Sequence, residues 1–270
     1  MLKFIGITYI ILASAFVFGA DCDVFIHGFT SQSEGYFGDL PRQVHWNSQQ
    51  EIPDAGPEVA RKILDQIETC DLESRVVLRP HSYGVGVVHY ILGKGYQFQT
   101  AFPDHEFVQV YKKVHEVYAY TGAFQGTAIM DFVCSSLFTE SLASIFGKTC
   151  VKSLSTSKVD NAIFHVQTPG VVTHLITSSD STGTYGTSST LIGKSGVSFL
   201  DFALGKRNQN DNTLPLTSTK ACSSYNAILK DDIECVKVDS NFIFDFHHTR
   251  EFHHFEFLNN KEFLLMKEKK

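Results

Sequence analysis

The stretch from Val76 to Leu92 constrains the chain more than any other. Val76-Val77-Leu78 is a short apolar run of strand character, Pro80-His81-Ser82-Tyr83-Gly84 is turn-forming, and Val85 to Leu92 has the apolar content of a buried helix. A strand, a sharp turn and a helix in immediate succession lift the turn residue above the edge of a sheet. Here that residue is Ser82, in a pattern close to G-x-S-x-G. In such a turn the serine hydroxyl stands clear, while the helix N-terminus and the Tyr83 amide face the same point.

The rest of the chain reads in the same idiom. Asp23 to Ile26 is a short buried strand that runs into the turn-forming His27-Gly28-Phe29-Thr30. Pro57 suits a helix start, and Val59, Ala60, Ile63, Leu64 and Ile67 recur at three and four residue spacing, which gives an amphipathic helix ending near Cys70. Val108 to Tyr120 is rich in β-branched and aromatic residues and reads as a strand before the turn Thr121 to Gly126. Further strands are expected at Ala162 to Val166 and Val171 to Ile176, and the Ser, Thr and Gly content from Thr177 to Ser198 reads as a surface excursion. Strands alternating with helical patterns imply an α/β fold, a mostly parallel central sheet covered by helices on both faces.

At 270 residues the chain suits one large α/β domain. Its first twenty residues carry a single cation, Lys3, then an apolar run from Phe4 to Phe18 and the small residues Gly19 and Ala20, the layout of a secretory signal. The expectation is a signal at 1–20, a single domain at 21–270 and a secreted product; a retained anchor is the alternative. The six cysteines all follow the signal, which in an exported chain suggests disulfides, and Cys134 with Cys150 and Cys222 with Cys235 are the pairs that close short loops. A formal charge of -6, with only Lys267 to Lys270 as a basic run, argues against nucleic acid as a partner.

His27-Gly28 after a strand, followed downstream by His81-Ser82-Tyr83-Gly84, resembles the secreted lipases and esterases of the α/β-hydrolase superfamily, where a strand, His-Gly and a later Gly-His-Ser-x-Gly occur in that order. Pro80 stands where those enzymes usually carry glycine. The resemblance implies hydrolysis of carboxylic esters of lipids through an acyl-enzyme, with Ser82 as nucleophile and the amides of Phe29 and Tyr83 as oxyanion donors. Lipid or other ester substrates and transient contact with a lipid interface follow from it, and no cofactor is needed; some of the resembling lipases hold a structural calcium, for which Asp239 or Asp245 could serve. Phe29, Tyr36, Phe37 and Trp46 would suit an acyl chain and would equally suit a core.

A serine hydroxyl needs a histidine to accept its proton and an acid to orient that histidine, in the chain order Ser, acid, His. Asn210-Asp211-Asn212 resembles the acid loop of bacterial lipases and makes Asp211 the expected acid, with Asp180 as its rival after a strand. The resembling lipases place Asn-His where this chain reads Asn241-Phe242, so the base is expected a few residues on, at His247 with His248 as the alternative. His81, beside the nucleophile in sequence, should point away from it. The pairs His247-His248 and His253-His254 do not enforce a metal site, because adjacent side chains in regular structure diverge. An acyl-protein thioesterase or acyltransferase would use the same serine, and a non-catalytic binding protein on the same scaffold is the reading from another class.

Overall fold

The computed structural model describes residues 20–29, 34–123, 126, 130, 134, 150–155, 170–178, 244–250 and 265. Among the described residues six strands form one sheet: β1 (Cys22–Ile26), β2 (Gln43–Val44), β3 (Val76–Pro80), β4 (Val114–Tyr120), β5 (Val172–Ser178) and β6 (Phe244–Arg250). Their order is β2-β1-β3-β4-β5-β6, and every neighbouring pair is parallel. In a parallel sheet all strands point their carboxyl ends to one edge, and the residues leaving those ends can converge there.

Three α-helices are described, α1 (Ile52–Ile67), α2 (Tyr83–Phe98) and α3 (Glu106–Lys113), with a short 3-10 helix at Lys152–Leu154. Strand alternation sorts the core into two faces. Val24, Ile26, Leu78, Val117 and Ala119 pack with Val59 and Ile63 of α1, Val88 and Ile91 of α2, and Phe107 and Val110 of α3. On the opposite face Phe25, Val77, Tyr118 and Tyr120 meet Phe37 and Leu40 from the segment between β1 and β2. Among the described residues, all three α-helices therefore lie on one face.

Several expectations need correction. Residues 108–113 are helical, not strand: the His105 side chain caps α3 by accepting from the Phe107 amide at 3.1 Å, and burial of Phe107 and Val110 in the core shared with α1 and α2 overrides their β propensity. Only Val114–Tyr120 is strand. The first helix begins at Ile52, so that Pro53 holds the N-terminal position where a missing amide is harmless and Pro57 lies inside the helix. The second helix runs on to Phe98. The expected strand at 171–176 appears as β5. Cys134 and Cys150 are bonded as expected; Cys22 pairs with Cys70, tying the start of β1 to the end of α1. Residues 1–19 of the expected signal at 1–20, the strand at 162–166, the excursion beyond 178, Asp211, Cys222 and Cys235 lie outside the described residues. No helix among the described residues is long and apolar enough to cross a membrane.

Candidate active site

Ser82 stands at the junction of β3 and α2, where strand character ends at Pro80 and the helix starts at Tyr83. Its backbone takes φ 53° and ψ -121°, a region that residues with side chains rarely enter and that persists only when the surroundings enforce it. The surroundings do so from both sides. The Ser82 amide donates to the Tyr120 carbonyl at 2.9 Å, and its carbonyl accepts from the amides of Val85 at 3.1 Å and Ala123 at 3.2 Å. The His81 amide donates to Ile26 at 3.0 Å. With only 8% of its surface exposed, Ser82 is held at the carboxyl edge of the sheet.

The strand β1 approaches this turn so closely that two glycines are required. A Cβ on Gly84 would stand 2.6 Å from the His27 carbonyl oxygen and 2.8 Å from that of Ile26. A Cβ on Gly28 would stand 2.7 Å from the Ser82 Cβ. All three distances are shorter than real side chains show. Pro80, the departure from the expected glycine, is accommodated: it is buried in β3 in register with Ile26, and the close approach falls on Gly28 and Gly84 instead.

Histidines near the turn are structural. His27 is buried, its Nδ1 lies 2.7 Å from the Gly28 carbonyl oxygen and its Nε2 accepts from the Trp46 amide at 3.2 Å. Burial pushes its pKa below the ordinary histidine value, in keeping with a neutral ring stacked on Trp46. The buried His81 has its Nδ1 2.7 Å from the Tyr36 hydroxyl. Of the aromatic residues that could suit an acyl chain, Phe37 and Trp46 are core, and Phe29 packs partly buried against the helical layer.

Phe29 follows the end of β1 directly after Gly28, and Tyr83 opens α2 directly after Ser82. No hydrogen bond from either amide to another backbone group is made among the described residues. The first amides of a helix lack intrahelical partners and attract negative charge. Backbone pairing puts His247 opposite Ile176, Ile176 opposite Tyr120, and Tyr120 opposite His81, so His247 lies on the same row of the sheet as the residue before Ser82.

Solved structures share this fold. A metagenomic carboxyl esterase matches at 14% identity and a TM-score of 0.53, over 75% of this chain and 60% of its own. A lipase from Bacillus licheniformis matches at 15% identity and a TM-score of 0.58 in its propeptide form, over 92% of this chain and 51% of its own. The mature form of that lipase matches at 16% and 0.50, over 90% and 87%. The chain has the α/β-hydrolase fold. It spans less than two thirds of the esterase and of the propeptide-form lipase. No family model matches it, and no curated protein sequence does. In this α/β-hydrolase fold the strained serine sits where strand gives way to helix, the position that the sequence pattern singled out.

Proposed function

We propose that the chain is a secreted serine hydrolase that cleaves carboxylic esters of lipids through an acyl-enzyme. The observation that carries the reading is the backbone of Ser82, strained and clamped between β3 and α2, with the Tyr83 amide opening the helix beside it. The shared fold with a lipase and an esterase supports the substrate class. Two disulfides, Cys22–Cys70 and Cys134–Cys150, fit an oxidising destination.

In the proposed reaction the Ser82 hydroxyl oxygen attacks the ester carbonyl carbon while a histidine takes its proton. The carbonyl oxygen becomes an oxyanion between the amides of Phe29 and Tyr83, and collapse expels the alcohol, which takes the proton from the histidine. Water then repeats the sequence on the acyl-enzyme and frees the acid. Asp211 is the proposed acid and His247, or His248, the proposed base.

Sheet geometry adds candidates. β6 lies three ladder spacings from β3, roughly 14 Å, whereas a base must come within about 3 Å of the serine hydroxyl. A histidine held inside β6 spans that gap less readily than one in the chain that leaves the strand at Arg250, where His253 and His254 follow in sequence. By the same logic Asp180 follows the end of β5 at Ser178.

The test is hydrolysis of p-nitrophenyl esters from short to long acyl chains by the wild type and by Ser82→Ala, with fluorophosphonate labelling of both. Activity that favours long chains, is lost in Ser82→Ala and is matched by labelling at Ser82 supports a lipase. A wild type that is inert and unlabelled overturns the hydrolase and favours a binding protein. Single alanine variants at Asp180, Asp211, His247, His248, His253 and His254 then identify the acid and base by losses of about a thousandfold or more in kcat.

A further inference from the structure

Two pieces of backbone have to meet for the proposed oxyanion site to exist, and they come from different strands. Gly28 and Phe29 leave β1 beyond its last ladder pair at Ile26; Ser82 and Tyr83 leave β3. On the β4 side the turn is anchored through Tyr120 and Ala123. On the β1 side, beyond the bond from the His81 amide to Ile26, the Tyr36 side chain stands at the junction. Its ring packs edge-on against Phe37, with centroids 5.0 Å apart, and tilts against His27 at 5.4 Å and His81 at 5.7 Å. Its hydroxyl lies 2.7 Å from His81 Nδ1 and stands against the backbone of Gly28. A Cβ on Gly28 would stand 2.9 Å from that hydroxyl and 2.7 Å from the Ser82 Cβ, so the three groups converge on one point.

We infer that Tyr36 is a positioning residue for the proposed acyl transfer, its hydroxyl bridging the residue before the Phe29 amide and the residue before the Ser82 nucleophile. The inference rests on the serine-hydrolase reading. Tyr36 does not touch the reacting atoms in this role; it sets the separation of the two oxyanion donors and their distance from Ser82. Oxyanion stabilisation depends on donors standing within hydrogen-bond range of where charge develops, and a displacement of about 1 Å can cost a hundredfold in rate.

Tyr36→Phe removes the bridge and keeps the ring. The second-order rate of fluorophosphonate labelling at Ser82, whose phosphonyl oxygen uses the same donors, is expected to fall about ten- to a hundredfold, with kcat falling in parallel and KM unchanged. The final stoichiometry of labelling should stay at the wild-type value. A merely structural role would lower the stoichiometry and leave the rate per remaining site intact. His81→Leu, which removes the other end of the hydrogen bond, should give the same split, and the double variant should be no slower than the slower single one. Wild-type labelling with a Tyr36→Phe rate within twofold of it overturns this inference alone, whereas a wild type that never labels overturns the hydrolase reading beneath it.

Discussion

The two faces of the sheet bury themselves by different chemistry. Toward the helices the strand contacts are mainly aliphatic: Val24, Ile26 and Leu78 against Val59, Ile63, Val88 and Ile91. Such a face is held by the area it removes from water and tolerates exchange among residues of similar volume. On the opposite face the same strands present Asp23, Phe25, Val77, Arg79, Tyr118 and Tyr120. Arg79 is fully buried; its Nε donates to Asp23 at 2.6 Å, its Nη1 donates to the Tyr120 hydroxyl at 2.9 Å, and its guanidinium lies 4.5 Å over the Tyr118 ring. Burial works against the charge, yet Tyr120 and Asp23 more than offset it and raise the Arg79 pKa. Tyr118 in turn stacks on His174 at 4.4 Å, which reaches Glu116 at 3.8 Å. One face is specified by volume, the other by geometry, and it is the second that crosses β1, β3 and β4 just before the turn that carries Ser82.

This contrast can be broken by experiment. The largest effect is expected from Arg79→Met, which leaves the Asp23 carboxylate buried without its partner and should cost about 3–5 kcal/mol in urea unfolding, most of it recovered by adding Asp23→Asn. A double variant no more stable than the single one would sink the idea that the pair is the unit. Truncation on the aliphatic face, Ile63→Ala, should cost about 2–5 kcal/mol from lost burial and the cavity left behind, and here a second substitution elsewhere in the layer should restore nothing unless it fills that volume.

A smaller effect separates the faces by pH. His89 is buried in the helical layer, and burial pushes its pKa down to about 4, against 6.5 when unfolded. Above pH 6.5 both states are neutral there and stability is at its full value; as pH falls toward 4 the unfolded chain takes up a proton that the folded one refuses, so stability declines. Unfolding free energies from urea titration at pH 7 and pH 5 should differ by roughly 1–2 kcal/mol more in the wild type than in His89→Gln. An equal pH dependence would mean that the ring is charged or solvated in the folded protein. The smallest effect belongs to neither face: Lys62→Ala, which breaks the exposed pair with Glu58 on α1, should change stability by no more than about 0.5 kcal/mol.

How much of this was readable in the chain depends on range. The turn at Ser82 was legible because strand, turn and helix signals abut within one local stretch, and His27-Gly28 was legible for the same reason. The disulfide between Cys134 and Cys150 spans a separation of 16, short enough to guess, whereas Cys22 and Cys70 are 48 apart and meet only because α1 runs back along β1. Residues 108–113 misled because their composition favours a strand, while the cap at His105 and the basic pair Lys112-Lys113 at the far end were the helix signals to weigh against it. Tyr36 was seen as a candidate for an acyl pocket; its bond to His81, 45 positions away, could not be seen at all.

The sequence by itself determined the class of fold, the serine at the head of α2 and the two strand ends that flank it, since each follows from neighbours along the chain. Only the tertiary structure decided what holds them together. The pairing of Ile26 with Pro80 brings Asp23 beside Arg79, sets Gly28 and Gly84 where no side chain fits, and seats the Tyr36 hydroxyl between two loops. Those contacts depend on register between strands distant in sequence, and register is set by burial of whole faces at once, which no local pattern encodes.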